Sequence, residues 1–168
     1  MADTKLTIEE IEVALAESRD FSYLKNLMVF NVYGLSELLP INHECDVLVM
    51  TKTGYLTEIE IKRSWSDFLA DFKKEHHHQS EYIKKFYYCV PVSIADKVAE
   101  YLKNNGEEVK PTSGIITYDE DGHIKTYWAS IEAPYPKKLF LEQRLELARL
   151  GCMRVVVAKK RLTKNKEQ

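Results

Sequence analysis

Asp46, Glu60 and Lys62 are the residues whose types and spacing suit chemistry in this chain. The stretch GYLTEIEIK, residues 54–62, alternates glutamates with isoleucines and ends on a lysine, which is the pattern of a β-strand with one apolar and one charged face. A second apolar segment precedes it and contains Asp46. If residues 52–54 form the hairpin loop between them, Asp46 faces Glu60, Glu44 faces Lys62 and Leu48 faces Glu58. Alternation then puts Glu44, Asp46, Leu48 and Met50 on one face with Leu56, Glu58, Glu60 and Lys62. Cys45, Val47, Val49, Ile59 and Ile61 fall on the opposite face as core.

The charged face is apolar near the turn, at Leu48, Met50 and Leu56, and ionic only at its far end. A plain solvent face would be polar throughout, so this distribution suggests a covered sheet with a cleft mouth at one end. Two carboxylates directly across a strand pair repel unless a cation sits between them or one keeps its proton. Oxygen-only ligands favour a hard cation, magnesium or manganese, which keeps several waters and accepts substrate phosphate. Lys62 would reach that water or the phosphate, and the set suits metal-assisted phosphodiester hydrolysis. On the same reading Glu58 is an ordinary surface residue and Glu44 a partner of Lys62.

The elements around these residues follow from spacing. Thr7 and Glu10 stand at capping-box distance, with Ile8, Ile11 and Leu15 at helical intervals, which predicts a helix over 7–18. Strands are expected over 27–35, 44–51 and 54–62. Ser64 and Asp67 repeat the capping-box spacing, and Trp65, Phe68, Leu69 and Phe72 make the apolar stripe of a helix that starts just after Lys62. A buried strand over 86–91, a capped helix over 93–106 and a hairpin of 114–118 with 124–129 follow. The segment 137–150 is amphipathic and helical. The run MRVVVAKKRL after Gly151 fits either a strand or a helical continuation, and about 162–168 reads as a solvated tail. The order of elements argues for one α/β domain, a central mixed sheet with helices on both faces.

The composition, 45% hydrophobic and 30% charged over 168 residues, is that of a globular protein, and no apolar run approaches membrane-spanning length. A net charge of -2 does not advertise nucleic-acid binding, so such binding would depend on local clusters, Lys62 with Arg63, Lys73 with Lys74 and Lys84 with Lys85, and on contacts from His78 and Gln79. Cys45, Cys89 and Cys152 are odd in number and widely spaced, which argues for reduced thiols and a cytoplasmic location. His76, His77 and His78 point in different directions on a helix and share no zinc-motif spacing with the cysteines, so a zinc-dependent interaction module is a weaker reading.

Asp46, thirteen intervening residues and then Glu60-Ile61-Lys62 resembles the PD-(D/E)XK nuclease superfamily, whose fold is that of restriction endonucleases. EIEIKRSWSDFLADFKK followed by FYYCVP, with a later GII at 114–116, looks like its small MmcB-like branch of DNA-repair-associated and phage-borne nucleases. Cys45 stands where the family name has proline. The resemblance implies that Asp46 and Glu60 hold Mg2+ or Mn2+ together with the backbone carbonyl of Ile61, and that Lys62 positions or activates the attacking water. The family often adds an acid from the first helix; Glu9, Glu10 and Glu12 are available, and Glu10 is better explained as a cap. DNA is the expected partner, a homodimer is an open option, and neither a membrane nor a small organic cofactor is expected. The alternative is a non-catalytic nucleic-acid-binding module that retains the fold.

Overall fold

A computed structural model describes residues 6–32, 38–41, 43–72, 80–105 and 112–164. Helix α1 (Ile8–Glu17) starts where the capping spacing places it: the Thr7 hydroxyl accepts the Glu10 N–H at 3.2 Å and the Glu10 carboxylate accepts the Thr7 N–H at 2.7 Å. An antiparallel meander follows, β1 (Leu27–Val32), β2 (Cys45–Met50) and β3 (Leu56–Ile61). Helix α2 (Trp65–Asp71) then begins on Ser64, whose hydroxyl accepts the Asp67 N–H at 3.2 Å.

Strand β4 (Ile83–Pro91) returns parallel to β3 and starts three residues earlier than its apolar run suggests. Helix α3 (Ala95–Asn104) is entered through a 3-10 turn at Val92–Ile94 and has no side-chain cap, so Ser93 does not cap it as its sequence position suggests. The expected glycine stop, Gly106, lies outside the described residues. Strand β5 (Gly114–Tyr118) pairs parallel with β4, and β6 (Ile124–Trp128) closes the sheet as an antiparallel edge. The six strands lie in sequence order in one mixed sheet.

Two clusters of buried side chains flank that sheet. On one face Phe68 of α2, Val98 and Leu102 of α3 and Leu147 pack on Val29, Leu48, Leu56, Tyr88 and Ile115. On the other, Ile11 and Leu15 of α1 pack on Val47, Val49, Ile59, Cys89 and Ile116. Each fully buried Leu or Ile contributes about 1.5–3 kcal/mol, and helices cover both faces as the element order predicts. Trp65, Phe68 and Phe72 are core ring contacts, Trp65 stacking on Phe68 with centroids 5.4 Å apart.

The last helix differs most from expectation. Residues 137–140 are not helical; α4 (Leu141–Lys164) starts later and runs without a break through MRVVVAKKRL into the expected tail. Phe140 offers no capping side chain, and its N–H is taken instead by Gln143 Oε1 at 2.8 Å. No strand forms after Gly151 because the helix simply continues, with Gly151 held close against Val29. Among the described residues no helix is long and apolar enough to cross a membrane.

The hairpin loop between β2 and β3 depends on Gly54, which has φ +89°. A Cβ there would run into the Arg144 guanidinium, which donates to the Thr53 carbonyl at 3.0 Å and the Leu139 carbonyl at 2.8 Å. Gly54→Ala should therefore lower the free energy of unfolding by about 1–3 kcal/mol through positive-φ strain and displacement of Arg144. Urea denaturation reads this directly.

Candidate active site

The register of the hairpin is the one that residues 52–54 impose: Leu48 pairs with Glu58 and Val47 with Ile59. There the ladder ends. Beyond it the Asp46 carboxylate takes the Ile61 N–H at 2.8 Å, and the Asp46 N–H approaches Glu60 Oε1 at 3.4 Å. Side-chain oxygens have replaced the next ladder carbonyls, so the strands part at the level where both acids stand.

The reason lies in the strands themselves. Val29 and Val32 belong to the same core layer although three residues apart, and so do Leu48 and Cys45. Asn31 lies between Phe30 and Val32, which pair with Val47 and Cys45, so it stands opposite Asp46; its φ is +51°. A residue in the left-handed region breaks the alternation of side chains at that level. Two expectations are corrected as a result. Cys45 belongs to the layer of Leu48 and Leu56 rather than to that of Val47 and Val49, and Asp46 does not share a plain strand face with Glu60 and Lys62.

Asp46 instead lies between the layers. Its charge acts on Glu12 of α1 and on Cys89, which belongs to the α1-side core. Glu60 acts on Tyr88 and Lys62 on the α2 side. The two acids thus meet across the parted strands with one helix on each side.

Lys62 is buried, and its ammonium lies 3.1 Å from Glu60 Oε2 and 2.8 Å from Asp71 Oδ1. Asp71 also accepts the Tyr88 hydroxyl at 3.2 Å. Burial works to lower the pKa of the lysine, but the charges of Glu60 and Asp71, with hydrogen bonds to both, outweigh it and raise the pKa above the ordinary lysine value. Lys62 is therefore an ammonium donor, not a proton acceptor. Burial, followed by Asp71, likewise pushes the Tyr88 phenol up and keeps it protonated.

Glu44 is exposed and is not the partner of Lys62, which takes its acids from its own strand and from α2. Glu58 is fully buried rather than a surface residue, with His43 Nε2 2.8 Å from its Oε1. Arg63 is exposed and its N–H caps onto Asp67 at 2.9 Å. Lys73, Lys74, His78 and Gln79, with His76 and His77, lie outside the described residues.

Sequence reasoning missed Asp71, His43 and Tyr88. Asp71 had a signal: it stands three residues after Phe68 and next to Phe72, an acid on the apolar side of an amphipathic helix. His43 stands two positions before Cys45, where strand alternation would bring their side chains together. Glu12 had a similar signal: it stands four residues after Ile8 and three before Leu15, on the apolar side of its helix, where Glu9 does not. In the structure it is buried, its Oε1 accepts the Asn31 amide at 2.9 Å, and burial first, then Glu9 and Asp46, raise its pKa against the pull of that hydrogen bond.

Asp46 is half-buried, Glu60 is buried, and the charge of Asp46 reaches buried Glu12; their donor atoms are all oxygens, the chemistry that a hard divalent cation takes. Among the described residues the tight donor groups, with atoms within 4.8 Å of one another, are elsewhere: buried His43, Cys45 and Glu58, and Asp119, Asp121 and His123 in the β5–β6 turn. The Cys45 and Cys89 thiols are both pushed up by burial, which keeps them as thiols.

No family model matches this chain, and no curated protein matches it. Among solved structures it is similar to a protein of unknown function from Silicibacter pomeroyi, 15% identical, with a TM-score of 0.58, covering 100% of this chain and 96% of that one. That likeness is one of fold alone.

Asp71→Ala removes one of the two acids that answer buried Lys62 and the acceptor of the Tyr88 hydroxyl, while Glu60 still faces the ammonium, so it should cost about 1–3 kcal/mol in urea unfolding. Because the folded lysine pKa is raised, the stability Lys62 contributes is whole below the unfolded value of about pH 10.4 and is lost as pH rises through the folded one. Lys62→Met should abolish that alkaline loss. Glu12 has the opposite consequence at neutral pH: its raised pKa means that the buried carboxylate opposes folding once it is ionised. Glu12→Gln should raise stability at neutral pH, with the difference vanishing below about pH 4 in denaturation series.

Proposed function

We propose that this chain is a cytoplasmic nuclease that hydrolyses DNA phosphodiester bonds with Mg2+ or Mn2+ held by Asp46 and Glu60. The observation that supports this best is the pairing of two acids across parted strands with a buried ammonium beside one of them. Such a set brings no structural advantage, since a strand pair gains more from a closed ladder and an apolar pair than from two carboxylates. The donor chemistry fits the cation that the resemblance to PD-(D/E)XK nucleases implies, with the Ile61 carbonyl as a further ligand and Glu12 as the acid from the first helix.

A bound cation would supply Lewis acidity to a phosphate oxygen and a more acidic water. The chain supplies the rest. Lys62, kept protonated by Glu60 and Asp71, donates to the attacking water or to a non-bridging phosphate oxygen and offsets the charge that develops there. Asp71 and Tyr88 hold that ammonium in place, so its position does not depend on substrate. Glu58 and His43 fill the layer beneath Glu60 and limit how far β3 can move.

The test compares wild type, Asp46→Ala, Glu60→Ala and Lys62→Met on single-stranded, duplex and branched DNA in each metal. Cleavage by wild type that falls by at least about a hundredfold in each variant is expected. Cleavage that survives both acid substitutions would remove this mechanism, and salt-dependent binding without turnover would favour a non-catalytic binding module.

A further inference from the structure

Helix α4 leaves the body of the protein beside the candidate site. Leu147 is buried, Gly151 lies against Val29, and every residue over 152–164 is exposed. At the point of departure Arg154 donates to the Asn31 carbonyl. Asn31 is the residue opposite Asp46, and its amide donates to Glu12. The root of the projecting segment is therefore one residue removed from the acids of the candidate site.

That segment has a charge unlike the rest of the chain. From Leu147 to Lys164 it carries Arg149, Arg154, Lys159, Lys160, Arg161 and Lys164 and no acid, in a protein of net charge -2. Arg149 is occupied by Glu146 at 2.7 Å. Among the described residues no carboxylate lies within ion-pair distance of Lys159, Lys160, Arg161 or Lys164. Arg154 and Arg161 stand at i, i+7, and Lys160 and Lys164 at i, i+4, so these four share one side of the helix and Lys159 lies across from them.

We infer that residues 152–164 form a basic arm that binds the DNA backbone next to the site. The length suits it: thirteen residues at 1.5 Å span roughly 20 Å, alongside about six base-pair steps of 3.4 Å. Charge complementarity favours a polyanion, and the composition selects nucleic acid over a lipid surface. An interfacial helix carries tryptophan, phenylalanine or several leucines on its apolar side, whereas this segment has no aromatic residue and a single leucine, its other exposed apolar side chains being Met153 and the three valines 155–157. The identity of the polyanion rests on the function proposed above.

The test is equilibrium binding of the full chain to a fluorescent DNA duplex, with calcium in place of magnesium. Wild type is compared with the combined variant Lys159→Gln, Lys160→Gln, Arg161→Gln, Lys164→Gln, and with a second in which the three lysines become arginine. These exposed positions lie outside the core, and circular dichroism with a thermal melt checks that both variants fold. The expected result is affinity at least about tenfold weaker in the glutamine variant, a log–log salt slope shallower by about 0.9 for each phosphate that the arm no longer neutralises, and wild-type behaviour in the arginine variant. Equal affinity and slope in all three would overturn the inference. So would a wild-type chain that binds anionic vesicles, or pairs with itself through this helix, without binding duplex. Arm-dependent binding in a chain that never cleaves leaves the arm standing and removes the hydrolase; cleavage with arm-independent binding does the reverse.

Discussion

A buried ammonium has to be neutralised where it sits, and Lys62 is neutralised by one acid from its own strand and one from the helix that follows. Glu60 is two residues back on β3 and Asp71 is nine residues on, at the end of α2. This bridge ties the strand to the helix across the turn at Arg63 and Ser64, and it decides the orientation of α2. With Asp71 held inward, Phe68 and Phe72 are carried onto Tyr88, whose hydroxyl closes the network on Asp71. Low local dielectric makes such a network strong when complete and costly when broken.

The second constraint acts from the other side of the sheet. Asn31 in the left-handed region, opposite Asp46, ends the regular pleat of β1 and β2 at the level where β2 and β3 part. Backbone donors released by that parting are taken up by carboxylates instead of carbonyls. A strand pair that stayed closed would have kept Asp46 within the pleat. Opened, it leaves Asp46 acting on Glu12 of α1 while Glu60 stays with Lys62.

The buried His43–Glu58 pair obeys the same requirement that an enclosed polar group be answered. Glu58 is fully enclosed two residues before Glu60 on β3, and an unpartnered carboxyl group there would be costly. The histidine comes from the residues that lead into β2, so the approach to that strand is fixed by the need to satisfy an acid on β3.

Much of this was legible in the residue order. Apolar alternation located β2 and β3, the three-residue loop with its glycine imposed their register, and Thr7–Glu10 and Ser64–Asp67 marked two helix starts, because each of these depends on interactions between near neighbours in the chain. The acids and the lysine were legible for the same reason. What the local pattern could not carry was the break in alternation at Asn31, the inward turn of Asp71, the burial of Glu58 under His43 and the arrival of Glu12 at Asp46. It also left MRVVVAKKRL, 153–162, undecided between strand and helix, since a run of valines followed by lysines suits either until Gly151 is seated on Val29. Residue types and their spacing determined which groups this protein has to work with; burial and long-range pairing, which depend on elements distant in sequence, decided which of them meet and in what charge state.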